Sequence, residues 1–328
     1  MTLDKKYAEL LINVGLNVQE GQTLLINTAP EHHAFAALCT EAAYARGAKQ
    51  VINNFVSERI ERLDFLNQST ETLTDIKQWQ IDESEWRVDQ DLCLLALRSP
   101  NPGLMDDVDS SKVMARMAAQ GQAFTKSRNY TMSSKGQWCV AAYPTVEWAR
   151  AVFTNDTDEV AYTKLYDAIL KATRITEDND PYQEWKDHNA RLAGQNEVLN
   201  KLNFESLHFT NDKGTDITVG LVKGHQWGGG AKPAQNGVVF NANMPTEESF
   251  TTPDRMNVNG IVYNSIALNN NGRLIDDFWL KFVDGEVVDY DAKIGKEALD
   301  KLLLTDENSK RIGEIALVSY DSPISNMG

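Results

Sequence analysis

The chain has 328 residues, which is long enough for two domains. Of these residues 42% are hydrophobic and 24% charged, a composition too apolar for a disordered protein. Its formal net charge of −15 repels phosphate groups, so nucleic acid is not an expected partner. No apolar run approaches the roughly 20 residues that cross a bilayer, and the charged start MTLDKKYAELL is unlike a signal peptide. We therefore expect no membrane association and no secretion.

The three cysteines, Cys39, Cys93 and Cys139, are far apart and odd in number. They form neither a disulfide framework nor the paired spacing of a zinc finger. Each lies in an apolar context, which predicts buried thiols. This cysteine usage indicates a reducing compartment, and we expect a cytoplasmic protein.

The first half of the chain alternates strand and helix patterns. Apolar and β-branched runs predict strands, and alanine-rich or amphipathic stretches predict helices, in the order strand 23–27, helix 35–45, strand 51–56, strand 91–97, helix 111–126 and strand 137–143. Such alternation is typical of a doubly wound, mainly parallel sheet, which we assign to a first α/β domain, 1–203. The turn after the first strand, TAPEH, has no glycine to admit a pyrophosphate, and the dinucleotide and P-loop patterns are absent from the sequence.

The second half becomes strand-rich after a helical region. Residues 158–202 are predicted to be helical, with a break at Asn179-Asp180-Pro181. Turn signals at Asn270-Asn271-Gly272 and Asp284-Gly285 separate later strands, and the second is a hairpin signal. Strands are predicted at 206–210, 216–222, 238–241, 260–268 and 280–283, with one helix at 295–304. We therefore predict a mixed, strand-rich α+β second domain, 204–328, which becomes the catalytic domain under the family resemblance described below.

The densest polar cluster of the chain is the segment NANMPTEESFTTPD, residues 241–254. It follows a predicted strand, contains two prolines, and sets Glu247 and Glu248 beside hydroxyl side chains. A stiff loop that holds acids at a strand end suits metal ligation or acid–base catalysis. The alternative is a solvated turn whose acids have no chemical role.

Two further segments carry candidate residues. Glu314 begins an apolar strand in RIGEIALV, where it either points inward towards a cation or outward into solvent. In GHQWGGG we take His225 and Trp227 as candidate substrate-binding residues, although His225 could also be a metal ligand or an ordinary loop histidine. His32 and His33 are adjacent and are interpreted as helix-start residues. The sequence has neither a Gly-x-Ser-x-Gly elbow nor an HExxH motif.

These segments together resemble the M29 family of metal-dependent aminopeptidases, the group of aminopeptidases T, S and PepS. The resemblance is carried by NANMPTEESFTTPD, GHQWGGG, the opening GQTLLINTAPEHHAFAALCTEAAYARGAKQVI and the final TDENSKRIGEIALVSYDSPIS. It therefore extends over nearly the whole chain, and the PTEE-x-F-T-x-P loop is its most specific part.

The resemblance implies a cytoplasmic, homodimeric exopeptidase that removes N-terminal residues from a peptide substrate with two divalent metal ions, zinc or cobalt. It implies that Glu248 ligates one metal and that Glu314 bridges both, whereas Glu247 is not a ligand. We expect Glu248 and Glu314 to project from neighbouring strand ends into one cavity, with His225 near its rim and Glu247 pointing elsewhere. No residue is assigned as the general base.

The family takes its remaining ligands, histidines and an aspartate, and a tyrosine near the reacting centre from a C-terminal segment that would follow SPISNMG. We therefore expect the chain to be a fragment with an incomplete, inactive site, the alternative being a natural truncation. A non-catalytic peptide-binding or assembly protein that kept the fold and lost the metals is the rival hypothesis. A different dinuclear amide hydrolase is a third.

Overall fold

The computed structural model describes residues 1–270 and 273–327, which form two compact units. The first unit comprises 1–189, 230–246 and 321–328, and the second comprises 190–229 and 247–320. Among the described residues, no helix combines the length and the apolar composition needed to cross a membrane.

Helices are concentrated in the first two thirds of the chain. In chain order they are α1 (Leu3–Leu10), α2 (His33–Ala45), α3 (Glu58–Asn67), α4 (Thr70–Thr74), α5 (Gln78–Asp89), α6 (Ser110–Ala123), α7 (Thr125–Met132), α8 (Val146–Val152), α9 (Asp158–Ala172), α10 (Pro181–Leu202) and α11 (Lys296–Leu303). A π-helical turn, Leu11–Gly15, continues α1, and a 3₁₀ turn, Pro30–His32, leads into α2. His32 and His33 therefore lie at a helix start, as predicted.

Strands occur in both halves of the chain and dominate the second. In chain order they are β1 (Thr23–Thr28), β2 (Gln50–Phe55), β3 (Cys93–Arg98), β4 (Trp138–Ala142), β5 (Ser206–Thr210), β6 (Asp216–Leu221), β7 (Ala231–Pro233), β8 (Val239–Asn241), β9 (Asn243–Met244), β10 (Glu248–Thr251), β11 (Pro253–Tyr263), β12 (Leu268–Asn270), β13 (Arg273–Val283), β14 (Glu286–Ile294) and β15 (Ile315–Val318).

The first unit is organised around a five-stranded parallel sheet of order β2-β1-β3-β4-β9. Its strand β1 pairs with β2 on one side and β3 on the other. Leu24 and Ile26 of β1 and Leu95 of β3 are fully buried, as expected for a strand covered on both faces. Burying each such side chain contributes about 1.5–3 kcal/mol. The predicted α/β fold with a parallel sheet is confirmed.

The second unit is built mainly on antiparallel strands. Its six-stranded sheet runs β12-β13-β11-β6-β5, with β14 added to β13. The hairpin predicted at Asp284-Gly285 joins β13 to β14, and both turn residues have the positive φ that such tight turns require. One face of α11 packs on the sheet through Ala298, Leu299 and Leu303. The predicted strand-rich second half is confirmed, whereas the turn predicted at 270–272 includes residues outside the described part.

The units differ from the predicted division into 1–203 and 204–328. The change from the first unit to the second falls after Asn189, inside α10, and residues 230–246 return to the first unit. The return has a clear cause, because β9 pairs in parallel with β4 and completes the first sheet, and Met244 is buried in its core. A strand of two residues has no periodicity by which the sequence could reveal it.

Candidate metal site

The two predicted metal ligands lie at the beginnings of two strands that pair with each other in the second unit. Strand β10 begins at Glu248, and Glu314 immediately precedes β15. The strands form an antiparallel ladder in which Glu248 is opposite Val318 and Thr251 is opposite Ile315. The two glutamates therefore lie towards opposite ends of one short ladder.

Both glutamates fall on the same face of this ladder. Because side chains alternate along a strand, the face of Glu248 also carries Phe250 and Val318, and Glu314 continues the alternation of β15. Glu314 is four residues from Val318, so the two glutamate backbones are about 13 Å apart along the strands. Phe250 and Val318 are 36% and 49% exposed, so this is the open face. Two long side chains on one face can reach towards each other over that span.

The electrostatics of Glu248 indicate such an approach. Burial raises the pKa of Glu248, and the negative charge of Glu314 raises it further. Glu248 is half-buried and Glu314 is exposed. Two carboxylates that repel each other in a partly desolvated position favour either a proton on one of them or a cation between them.

Glu247 lies on the opposite face of the segment from Glu248. It falls with Ser249 and Thr251, whose side chains are almost completely buried, and is itself only 9% exposed. Adjacent residues of an extended chain face opposite ways. Glu247 is thus on the buried side of the segment, away from the face that carries Glu248.

The glycine-rich segment GHQWGGG runs beside β10. Gly228 and Phe250 exchange two backbone hydrogen bonds of 2.9 and 2.8 Å, and the Thr251 hydroxyl donates to the Gln226 carbonyl. Gly229 has a φ of 150°, and a Cβ atom there would lie 2.0 Å from the carbonyl oxygen of Glu248. Only glycine allows this approach, so Gly229 sets the position of the Glu248 backbone.

His225 is buried, with 7% exposure. Its Nδ1 lies 3.0 Å from the Val222 carbonyl oxygen, which can only accept, so Nδ1 carries the proton. Its Nε2 is then an acceptor, and it has no hydrogen-bond partner among the described residues. A histidine oriented in this way has the tautomer that metal-binding histidines use. Its predicted place near the rim of a metal cavity stays a prediction.

Trp227 is also buried, with 3% exposure, and its ring meets that of His225 edge to face at 6.4 Å. Helix α10 holds the backbone around it. The Asn200 side chain accepts from the Trp227 N–H at 2.7 Å and donates to its carbonyl at 3.0 Å, and the Asn196 amide donates to the Gly229 carbonyl at 3.2 Å.

The two asparagines are four residues apart and therefore share one face of the helix. They clamp the glycine-rich segment against α10, a role that sequence reasoning missed. The signal in the sequence is only a pair of asparagines at helical spacing, which usually marks a solvated face.

The donor set fits a divalent metal in part. Carboxylate oxygens are ligands for zinc, manganese and magnesium alike, and the repulsion between Glu248 and Glu314 is of the kind that a cation relieves. Among residues 1–270 and 273–327, however, no group of three or more His, Cys, Asp or Glu side chains is arranged to hold a metal ion. The described residues therefore do not form a complete metal site by themselves, and the roles of Glu248 and Glu314 as ligands stay a prediction.

Comparison with known proteins identifies the family. The sequence pattern of the family described as thermophilic metalloprotease (M29) matches residues 2–328. This chain belongs to the M29 metalloprotease family. The M29 chain is 40% identical over 320 residues to aminopeptidase 2 of Geobacillus stearothermophilus, and the match covers 98% of the chain and 77% of that relative. It is 36% identical to aminopeptidase AmpS of Bacillus subtilis, covering 97% of the chain and 77% of the relative.

A solved structure agrees with the sequence relatives. The M29 chain superposes on wild-type AmpT from Thermus thermophilus with a TM-score of 0.92 and 33% sequence identity. The superposition covers 99% of the chain and 80% of that structure. The fold and the family predicted from the sequence are thus confirmed.

Proposed function

We propose that this M29 protein is a metal-dependent aminopeptidase that releases N-terminal amino acids from peptides, with Glu248 and Glu314 as two of its metal ligands. The observation that carries the proposal is a pair of carboxylates on one face of the β10–β15 ladder, near enough for Glu314 to raise the pKa of Glu248. Such a pair is a ready acceptor for a cation. The reaction class is supported by relatives that are named aminopeptidases.

We further propose two divalent metal ions, zinc or cobalt, as cofactors. When bound, such ions lower the pKa of a coordinated water and polarise the scissile carbonyl. The part of this chain is to supply carboxylate oxygens from two backbones held in register by β-ladder hydrogen bonds. A bound cation would offset the charge of Glu314 and so favour the ionised form of Glu248, whose pKa is raised by burial and by Glu314.

His225 and Trp227 are kept as substrate-side residues in this proposal. Because both are buried, their contribution would be to hold the glycine-rich segment against β10 rather than to cover a large part of the substrate. The free Nε2 of His225 is the one atom of the pair that can still accept a hydrogen bond. The general base stays unassigned.

The completeness of the site is a separate proposal. A zinc site of this class takes at least three protein ligands, and the two glutamates alone are too few. We propose that the remaining ligands lie in the part of the relatives that the chain does not cover, and that the 328-residue chain by itself has negligible turnover and weak metal affinity.

The test compares the chain with a chimera that adds the remaining residues of the Geobacillus stearothermophilus relative. Titration calorimetry measures zinc and cobalt binding, and aminoacyl p-nitroanilides measure hydrolysis. We expect metal-dependent hydrolysis of free-amino substrates by the chimera alone. Tight binding of two metal ions by the 328-residue chain would contradict the partial site. Hydrolysis of N-blocked substrates would favour another amide hydrolase, and peptide binding without hydrolysis would favour the non-catalytic alternative.

We also propose a cytoplasmic homodimer. The free, buried thiols of Cys39, Cys93 and Cys139 support a reducing compartment. Burial raises the pKa of the Cys93 thiol to about 12, which makes it an inert core group. Light scattering measures the oligomeric state, and a monomer at all concentrations would contradict the dimer.

A further inference from the structure

A cleft of about 290 Å³ lies at the carboxyl edge of the parallel sheet in the first unit. It is lined by the residues that end β1 and β3, among them Asn27, Thr28 and Arg98. In the order β2-β1-β3-β4-β9, strand β2 lies on one side of β1 and the following strand, β3, lies on the other. The strand order therefore reverses between β1 and β3, which makes this the topological switch point of the sheet. In open parallel sheets this is where ligands bind. Neither the metal-site residues nor the motifs of the second unit contribute to it.

The strand ends present unused polar groups to this cleft. The Asn54 side-chain amide donates to Asn27 Oδ1 at 2.9 Å. This bond leaves the NH₂ group of Asn27 and the Oδ1 atom of Asn54 without a hydrogen bond to any described residue. Thr145, which caps α8, adds a nearly buried hydroxyl.

The charged groups of the cleft have both signs. Glu58, the first residue of α3, lies near the backbone N–H of Asn101 and the positive charge of Arg98, and both of these lower the pKa of its carboxyl group. Burial nevertheless raises the pKa of Glu58, with Glu61 adding to the effect. Glu58 and Arg98 are thus within electrostatic reach, yet they form no direct ion pair among the described residues. Because both side chains line the cleft, a molecule that carries both charges can contact them there.

Other ligand classes fit less well. A helix N-terminus attracts phosphate, but the first turn of α3 already carries Glu58 and Glu61, and Glu31 and Glu147 also line the cleft. A metal ion is disfavoured because the described residues contain no group of three or more suitable side chains. With two arginines, Arg59 and Arg98, against these acids, the lining favours an ammonium group accompanied by one carboxylate.

We propose that this cleft binds a free α-amino acid, with its ammonium group on Glu58 and its carboxylate on Arg98. The unused amide groups of Asn27 and Asn54 complete the polar contacts. The cleft is at the lower end of the volumes of ligand pockets, which start near roughly 300 Å³, and this suits a single amino acid rather than a longer peptide. The proposal does not depend on the metal site or on the peptidase reaction, because the cleft belongs wholly to the first unit.

The test is titration calorimetry of the intact chain with a panel of free amino acids, in EDTA so that no metal contributes. For leucine, the matched half-ligands are 3-methylbutylamine and 4-methylpentanoate, which each lack one charged group. We expect at least one amino acid to bind with a stoichiometry of one. Its half-ligands should bind at least about tenfold more weakly, because each loses one charged hydrogen-bonding partner.

Variants then locate the binding. Glu58→Gln and Arg98→Gln should each weaken the affinity at least about tenfold, whereas Glu41→Gln, an exposed residue of α2 outside the cleft, should leave it unchanged. The half-ligands probe the unaltered chain, so the test stands even where a variant fails to fold. The proposal is overturned if no amino acid binds at millimolar concentration, if inorganic phosphate binds in its place, or if both variants bind as well as the original chain.

Discussion

Gly229→Ala is the substitution that most directly tests how the Glu248 backbone is held. The added Cβ would lie 2.0 Å from the Glu248 carbonyl oxygen, so β10 or the glycine-rich segment must move. Overpacking of this kind costs about 1–3 kcal/mol. The φ of 150° at Gly229 is unfavourable for any other residue and adds about 1–3 kcal/mol. We expect the free energy of unfolding to fall by about 2–6 kcal/mol. This is a large part of the total free energy of unfolding of a typical protein, which is about 5–15 kcal/mol.

Two glycines provide matched controls for this substitution. Gly224 has a φ of 79°, and nothing lies within 4 Å of the place that a Cβ atom would take, so Gly224→Ala carries only the backbone strain. Gly313 is open and has an ordinary φ, so Gly313→Ala should have little effect. Urea unfolding followed by circular dichroism measures all three variants. The steric explanation is refuted if Gly229→Ala is no less stable than Gly224→Ala.

Three further predictions concern charge and thiol chemistry. In the extended chimera, Glu314→Gln should reduce activity more than Glu247→Gln, because a bridging ligand serves both metals; equal losses in kcat at equal stability would mean that the loop is wrongly assigned. The pKa of Glu248 in the folded chain is raised above its ordinary value of 4.5, so the protonated form of Glu248 favours folding. This contribution to the free energy of unfolding is complete below pH 4.5 and is lost as the pH rises through the folded pKa. Glu248→Gln should therefore weaken the decline in unfolding free energy over that window, and an unchanged pH profile would contradict the shift. The three buried cysteines should react with a thiol reagent only after unfolding in urea, whereas rapid modification of the native chain would contradict their burial.

Several local features of the fold were predictable from the sequence alone. The apolar run that forms β3 and the alanine-rich stretch that forms α2 were predicted to within a few residues. Each of these segments is buried, and its apolar pattern is a direct consequence of that burial. The Asp284-Gly285 turn was predicted because few residues tolerate two successive positive φ angles. Helices α1, α3, α4, α5, α7 and α8 were missed, and α3, α4 and α5 form the longest stretch without a prediction. Their buried residues are few, so their sequences have only a weak apolar period.

The convergence of distant segments was decided only by the tertiary structure. The motif resemblance named Glu248 and Glu314, but their common face depends on the antiparallel register of β10 and β15, which no local pattern encodes. The clamp of Asn196 and Asn200 on the glycine-rich segment is equally non-local. The cleft between Glu58 and Arg98 exists because β1 lies between β2 and β3. Strand order follows from the packing of whole layers, so residues that are far apart in the chain meet only once those layers have formed.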